Sequence, residues 1–177
     1  GKTSAAKALA ERTGQPYFVS GSTRDIFQSY EGQHTILLDE LRAGSIPYPD
    51  LLRILDPYSI QSGVMAPSRY HDKALACSLF LITSPYDPRQ FYDELYPVPE
   101  KREDCEQTDS FEQLLRRISL TVCMTDREIL LAEYDAEKAG FVTDRSSSRP
   151  NPYSAASRPA SGVNAEEMFT GMFPAAP

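Results

Sequence analysis

The segment Thr35-Ile36-Leu37-Leu38-Asp39-Glu40 constrains the fold of this chain more than any other stretch of the sequence. Its first four residues form a mostly apolar run that does not alternate with polar residues. Such a run predicts a strand buried on both faces, as in the parallel sheets of α/β proteins. Open α/β sheets bind ligands beyond the carboxyl ends of their strands, so we expect Asp39 and Glu40 to lie at a functional site.

A second motif, Gly1-Lys2-Thr3, matches the last three residues of the phosphate-binding loop G-x-x-x-x-G-K-S/T. The tripeptide is common by chance, but here it runs directly into an alanine-rich segment that predicts a helix over residues 3–13. The N–H groups at the start of such a helix point toward a bound anion. The pattern therefore predicts that Lys2 binds phosphate and that the Thr3 hydroxyl binds Mg²⁺.

The order of the elements joins the two motifs into one hypothesis. A helix, a strand and a second helix fill the gap between Lys2 and Asp39, which is what a phosphate loop followed by an acidic strand requires. In that case Asp39 holds Mg²⁺ directly or through water, and Glu40 acts as the general base toward the attacking water. The alternative is a pair of solvated carboxylates at the end of a strand.

The remaining patterns predict an α/β domain followed by a disordered tail. We expect a core over residues 1–125, a C-terminal helix within 126–143, and a disordered Ser/Pro/Ala-rich tail over 144–177. Residues 59–73 are expected to be irregular or a hairpin. Strands are predicted at 17–20, 35–39, 76–83 and 118–124, and helices at 3–13, from 22 or 23 to 30, and at 48–56, 89–95, 109–117 and 127–139.

Composition excludes several classes of protein. A chain of 177 residues is long enough for about one domain, and its formal net charge of −7 argues against a generally basic nucleic-acid coat. It contains no run of about 18 apolar residues, so we expect no membrane span. Cys77, Cys105 and Cys123 fit neither a zinc site nor a disulfide framework, which indicates a reducing, cytoplasmic location. The chain opens inside a motif without an initiator Met, so we expect an N-terminally truncated fragment.

Three further polar stretches have both an ordinary and a functional interpretation. Thr83-Ser84 either ends a strand before a turn or faces the γ-phosphate. Arg116-Arg117 is either a solvated helix end or an arginine finger donated to a neighbouring subunit. The segment from Arg69 to Lys73 is either an ordinary polar loop or a contact to a single nucleic-acid strand, in which Arg69 and Lys73 supply charge and Tyr70 stacks on a base.

Taken in order, these motifs resemble a superfamily 3 helicase domain. More narrowly, residues 1–125 are similar to the helicase half of replication initiator (Rep) proteins from rolling-circle plasmids and single-stranded DNA viruses. The resemblance implies a three-layer P-loop NTPase fold with strand order 5-1-4-3-2, in which strand 1 would precede Gly1. It also implies ATP and Mg²⁺ as ligands, a homo-oligomeric and often hexameric ring, and an upstream nicking domain.

One position departs from that pattern. The family motif that follows the second buried strand usually ends in Ser-Asn, whose Asn senses the γ-phosphate, whereas here Pro85 follows Ser84. Ser84 or Thr83 would have to take that role. Without strand 1, two strand edges would be exposed, so we expect residues 1–177 alone to be poorly stable and to bind nucleotide weakly. A cooperative melt with micromolar ATP affinity would contradict this expectation.

The function predicted on these grounds is an ATP-dependent helicase that translocates on single-stranded DNA or RNA. Two alternatives remain open. One is a P-loop ATPase without unwinding activity, such as a loader or a small-molecule kinase. The other is a non-catalytic binding module with a decayed site.

Overall fold

The computed structural model describes residues 1–20, 25–58, 63–68, 71–97 and 108–154. Its helices include α1 (Lys2–Glu11), α2 (Tyr48–Ile54), α3 (Pro88–Leu95) and α4 (Phe111–Leu115). Its strands include β1 (Tyr17–Val19), β2 (Thr35–Leu38), β3 (Met65–Ala66), β4 (Lys73–Ala74), β5 (Leu79–Ile82), β6 (Thr121–Met124), β7 (Glu128–Asp135) and β8 (Gly140–Pro150). The architecture is mixed α/β, with a parallel three-stranded sheet and antiparallel sheets.

Strand β2 is the centre of the parallel sheet, which has the order β1-β2-β5. All four of its residues are buried, as the uninterrupted apolar run predicts. Val19 pairs with Leu37, and Leu38 pairs with Ile82, so the three strands end at the same level. The residues that follow them therefore lie along one carboxyl edge of the sheet.

The expected P-loop order 5-1-4-3-2 stays a prediction, because the parallel sheet of the described residues has only three strands. β1, β2 and β5 correspond to strands 2, 3 and 4, and they lie side by side in that sequence. β6, the candidate for strand 5, pairs antiparallel with β7 instead of with the parallel sheet. The positions of strands 1 and 5 in a P-loop sheet therefore stay a prediction.

In contrast to β2, the strands β5 and β6 expose apolar side chains, with Ile82 40% and Val122 44% exposed.

A chain of aromatic contacts joins the helices to the antiparallel sheet. The ring centroids of Tyr48 and Tyr92 are 5.4 Å apart, and those of Tyr92 and Phe111 are 5.8 Å apart. The chain continues from Phe111 to Tyr134 at 5.0 Å and from Tyr134 to Phe141 at 5.7 Å. Rings at these separations and tilts attract one another beyond their buried area. The contacts therefore fix β7 and β8 against the rest of the core.

The predicted helix at 127–139 is wrong, and so is the boundary that assigns residues from 144 onward to a disordered tail. Residues 128–135 form β7, which pairs with β6 on one side and with β8 on the other. β8 continues through Pro150, and the Ser147 hydroxyl oxygen accepts a hydrogen bond from the Leu131 N–H at 2.8 Å. Pairing on both edges, with the preceding strand β6 and the following strand β8, overrides the local helix preference of this apolar segment.

The other predicted elements agree with the structure to different degrees. The hairpin expected within 59–73 is confirmed by the antiparallel pairing of β3 with β4. The helix expected up to residue 30 is wrong over residues 25–30, which form turns. Residues 155–177 of the predicted tail and residues 98–107, which include Cys105, lie outside the described residues.

Helix α3 begins at a reciprocal cap that supports a stability prediction. The Asp87 carboxylate accepts a hydrogen bond from the Gln90 N–H at 2.8 Å, and the Gln90 side chain accepts one from the Asp87 N–H at 3.1 Å. Asp87→Ala leaves the Gln90 N–H without its acceptor, so we expect it to lower the free energy of unfolding by about 1 kcal/mol. Urea denaturation followed by circular dichroism measures this change. Asp87→Asn keeps an acceptor and should lose less, and an unchanged midpoint for Asp87→Ala would contradict the prediction.

Candidate functional site

A polar cleft of about 340 Å³ lies beyond the carboxyl edge of the parallel sheet. One wall comes from the start of α1 and the ends of β2 and β5, and the other from the turn after β6 and the segment after β8. The lining residues are Gly1, Lys2, Thr3, Glu40, Thr83 and Pro85 on the first wall, and Met124, Thr125, Asp126, Asn151 and Ser154 on the second. The two motifs of the sequence thus face the same space.

The start of α1 supplies the positive end of the cleft. The helix begins at Lys2, and its first backbone bond runs from the Ala5 N–H to the Gly1 carbonyl at 3.0 Å. The N–H groups before Ala5 have no intrahelical acceptor, and with the exposed Lys2 ammonium they favour an anion. Gly1 is also constrained sterically, because a Cβ atom there would lie 2.6 Å from the carbonyl oxygen of Tyr153.

Asp39 is the most highly connected acidic residue of the site. Its Oδ1 accepts hydrogen bonds from the Thr3 hydroxyl at 2.8 Å and from the Thr83 hydroxyl at 2.7 Å. Its N–H donates to the Ser20 hydroxyl oxygen at 2.9 Å. The ends of all three parallel strands and the first turn of α1 therefore converge on this one residue, and Thr3 and Thr83 both donate to its carboxylate.

Glu40 has an unusual backbone conformation. Its φ of 52° lies in the left-handed region, which costs a non-glycine residue roughly 1–3 kcal/mol. Its N–H donates to the Thr83 hydroxyl oxygen at 2.7 Å, and its side chain, 69% exposed, pairs with Arg42. Hydrogen bonds to Glu40 and to Tyr86 raise the pKa of the Arg42 guanidinium. Sequence reasoning missed Arg42, although its position two residues after Glu40 is a local signal.

The donor set at Asp39 fits a magnesium ion. Among the described residues, no group of three or more His, Cys, Asp or Glu side chains could hold a metal ion. Mg²⁺ is commonly bound through one or two carboxylates together with waters and substrate phosphates, so a larger cluster is not required. The Thr3 hydroxyl and the Asp39 carboxylate are oxygen donors of the right kind, and they are already in contact.

The structure separates the roles of Thr83 and Ser84. The Ser84 hydroxyl donates to the Leu41 carbonyl at 2.9 Å and accepts from the Tyr86 N–H at 3.2 Å, so it stabilises the turn after β5. Thr83, 7% exposed, is the residue in contact with Asp39. Of the two residues predicted as the sensor, Ser84 thus lies next to the site, and Thr83 is hydrogen-bonded to the acidic pair.

The two arginines after α4 lie in different environments. The side chain of Arg117 is 14% exposed, and it donates to the Leu52 carbonyl at 2.8 Å, to the Gln113 carbonyl at 2.6 Å and to the Asp56 carboxylate at 3.2 Å. Arg116 is exposed. Neither residue lines the cleft.

The structure describes only part of the predicted nucleic-acid loop. Lys73 is partly buried in β4, where it pairs with Ala66, and it does not line the cleft. Arg69 and Tyr70 lie outside the described residues. Of the part of this loop that the structure describes, residues 71–73, none lines the cleft.

Sequence reasoning missed the second wall of the cleft. Asn151 is buried, and its side chain donates to the Thr125 carbonyl at 2.7 Å and accepts from the Tyr153 N–H at 2.9 Å. It thereby fixes the turn that carries Thr125 and Asp126. This polar pair follows β6 as Asp39 follows β2, which is a usable signal. Asn151 has no such signal, because it lies in a stretch whose composition predicts disorder.

No helix of the described ranges is long and apolar enough to cross a lipid bilayer.

Comparisons with known proteins give one informative similarity. No family model matches the chain. The chain is 32% identical over 129 residues to a protein named Replication protein from Onion yellows phytoplasma (strain OY-M). The match includes 73% of this chain but only 31% of that protein, so the chain spans about a third of the length of its relative.

Proposed function

We propose that this chain is the ATP-hydrolysing motor of a replication protein and that it translocates on single-stranded DNA or RNA. The observation that carries the proposal is the hydrogen bond between Thr3 and Asp39, beside Lys2, in a polar cleft at the carboxyl edge of a parallel sheet. The name of the phytoplasma relative supports a role in replication. The order of the motifs, which resembles superfamily 3 helicases, supports the motor.

In this proposal each wall residue near α1 has a defined task. Lys2 and the first N–H groups of α1 bind the phosphates of ATP. Thr3 and Asp39 hold Mg²⁺, which neutralises the charge that develops on the phosphates. Glu40 accepts the proton of the attacking water as general base.

Arg42 competes for the carboxylate of the proposed base. An exposed ion pair of this kind contributes roughly 0–1 kcal/mol, so Glu40 can leave Arg42 at little cost. Glu40, whose backbone is in the left-handed region, is one of the residues that line the cleft. The pair thus holds the base near the site without preventing its action.

The partners of the motor follow from the basic residues. Arg69 and Lys73 bind the backbone of a single strand, and Tyr70 stacks on a base. Arg116, which is exposed, is the better candidate for an arginine that acts on the nucleotide of a neighbouring subunit in a homo-oligomeric ring. Arg117 is already committed to three acceptors within its own subunit.

The test is ATP hydrolysis by the full-length protein with and without a single-stranded oligonucleotide. We expect hydrolysis to require Mg²⁺ and to rise several-fold with single-stranded DNA. Lys73→Ala removes one phosphate contact, so it should raise the DNA concentration needed for half-maximal stimulation. It should also reduce the slope of the logarithm of the DNA-binding constant against the logarithm of the salt concentration by about one. Lys7→Ala, an exposed lysine on α1, is the matched control and should leave that concentration unchanged.

Other outcomes identify the alternatives. Hydrolysis that ignores both DNA and RNA would favour a loader or a small-molecule kinase. A protein that shows no Mg²⁺-dependent hydrolysis would favour a binding module with a decayed site. Stimulation by RNA and not by DNA would support a motor that translocates on single-stranded RNA.

A further inference from the structure

Thr83 makes four hydrogen bonds to four consecutive residues, namely the last residue of β2 and the three residues after it. Its N–H donates to the Leu38 carbonyl at 3.0 Å, and its carbonyl accepts from the Leu41 N–H at 2.7 Å. Its hydroxyl donates to Asp39 Oδ1 at 2.7 Å and accepts from the Glu40 N–H at 2.7 Å. One buried residue thus holds the whole segment that carries the acidic pair.

The hydroxyl of Thr83 is committed by this geometry. A hydroxyl has a single proton to donate, and here that proton goes to Asp39. Thr83 therefore cannot donate to a phosphate oxygen while this bond persists. Its second contact is to the backbone of Glu40, the residue whose left-handed φ of 52° needs support from its surroundings.

The same contact leaves the other carboxylate oxygen of Asp39 available. The Thr3 and Thr83 hydroxyls both donate to Oδ1. Within the described ranges, no hydrogen bond from another residue reaches Oδ2. The carboxylate is therefore oriented by one oxygen and can present the other to a metal ion or to a metal-bound water.

We propose that Thr83 is a positioning residue that aligns the metal-binding carboxylate of Asp39 and the base Glu40 with one hydroxyl. This inference rests on the proposed function and assigns to Thr83 a role different from sensing the γ-phosphate. Residues that orient a metal ligand commonly change metal affinity by about 10–100-fold when they are replaced. Misplacing a catalytic group by about 1 Å can cost about 10²-fold in rate.

The experiment compares Thr83→Val, Thr83→Ser and Ser78→Ala in the full-length protein. Valine keeps the shape of threonine but removes both side-chain hydrogen bonds, whereas serine keeps them. Ser78 lies at the opposite edge of the same sheet, next to β5, where its hydroxyl contacts the His34 carbonyl. It is therefore a matched hydroxyl deletion away from the cleft.

Two readouts separate alignment from folding and from phosphate binding. The first is steady-state hydrolysis, in which we expect Thr83→Val to lower kcat about 10- to 100-fold with little change in KM. The second is binding of a fluorescent ATP analogue, measured by anisotropy as a function of Mg²⁺. Here Thr83→Val should raise the Mg²⁺ concentration that gives half of the maximal anisotropy change about tenfold. Thr83→Ser should restore both values, and Ser78→Ala should behave as wild type.

Several results would contradict the role assigned to Thr83. A Thr83→Val protein with wild-type kcat and wild-type Mg²⁺ dependence would overturn the inference, as would a raised KM with unchanged kcat, which would indicate a direct phosphate contact. A loss found with Ser84→Ala and absent from Thr83→Val would assign the role to the neighbouring hydroxyl. If wild type itself neither binds the analogue with Mg²⁺ nor hydrolyses ATP, the proposed function fails, and the role of Thr83 fails with it.

Discussion

Glu40→Gln is expected to reduce ATP hydrolysis at least about a hundredfold while nucleotide binding persists. General bases contribute about 10²- to 10⁴-fold to rate, and the glutamine amide cannot accept the proton of the attacking water. Glutamine has nearly the same shape as glutamate, Thr3 and Asp39 keep their hydrogen bond, and Lys2 is unchanged. Phosphate release under saturating ATP and anisotropy of a fluorescent ATP analogue, measured side by side, check the two parts of this expectation.

Glu11→Gln is the matched control for this substitution. Glu11 is exposed at the far end of α1, so the same chemical change there should leave both the rate and the affinity as in wild type. The loss of the exposed pair with Arg42 should cost Glu40→Gln little stability, so the melting curve should be close to wild type. Retention of more than a fifth of the wild-type rate by Glu40→Gln would show that another group activates the water.

Arg117→Ala is expected to cause the largest loss of stability among the arginine substitutions considered, about 2–4 kcal/mol. The guanidinium donates to the Leu52 carbonyl in α2 and to the Gln113 carbonyl in α4, and it pairs with Asp56. Hydrogen bonds of charged groups contribute about 1.5–3 kcal/mol each and are not additive. Asp56 is partly exposed and can be hydrated after the substitution, which limits the loss. Urea unfolding followed by circular dichroism measures it.

Arg116→Ala provides the comparison at the adjacent position. Arg116 is exposed, so its replacement should change the free energy of unfolding by less than about 0.5 kcal/mol. If Arg116 acts in trans, Arg116→Ala should lower hydrolysis by the assembled oligomer, and mixing it with Glu40→Gln subunits should restore part of the activity. Arg117→Lys should remain destabilised, because an ammonium cannot match the forked geometry of a guanidinium. Equal melting curves for Arg117→Ala and Arg116→Ala would show that the contacts of Arg117 do not stabilise the fold.

The parts of the fold that the sequence predicted well are those in which a local pattern admits one solution. The uninterrupted run over residues 35–38 predicts a strand buried on both faces, and β2 lies between β1 and β5. The start of α1 at the phosphate motif was predictable for the same reason, since alanine-rich sequence without a breaker favours a helix. Helix α1 begins near the edge at which β2 ends, which brings Thr3 into contact with Asp39.

The antiparallel sheet was not predictable in this way. The apolar segment of β7 contains Ile129, Leu130 and Leu131, and such a run suits a helix or a strand equally well at the level of sequence. Only its pairing with β6 on one edge and with β8 on the other decides between them. The serines of β8 gave a composition typical of disorder, yet Ser147 and Ser148 bond to β7 and keep the strand in place.

The sequence by itself determined the chemistry of the site: a lysine and a threonine at a helix start, and two carboxylates at the end of a buried strand. Tertiary structure alone decided how these groups are held. Thr83 rather than Ser84 contacts Asp39, Arg117 is used inside the fold, and Asn151 anchors the opposite wall. The physical reason is that residue type and local period specify elements and their faces, whereas a hydrogen bond between residues 44 positions apart, such as that of Thr83 with Asp39, depends on register and packing that no local pattern encodes.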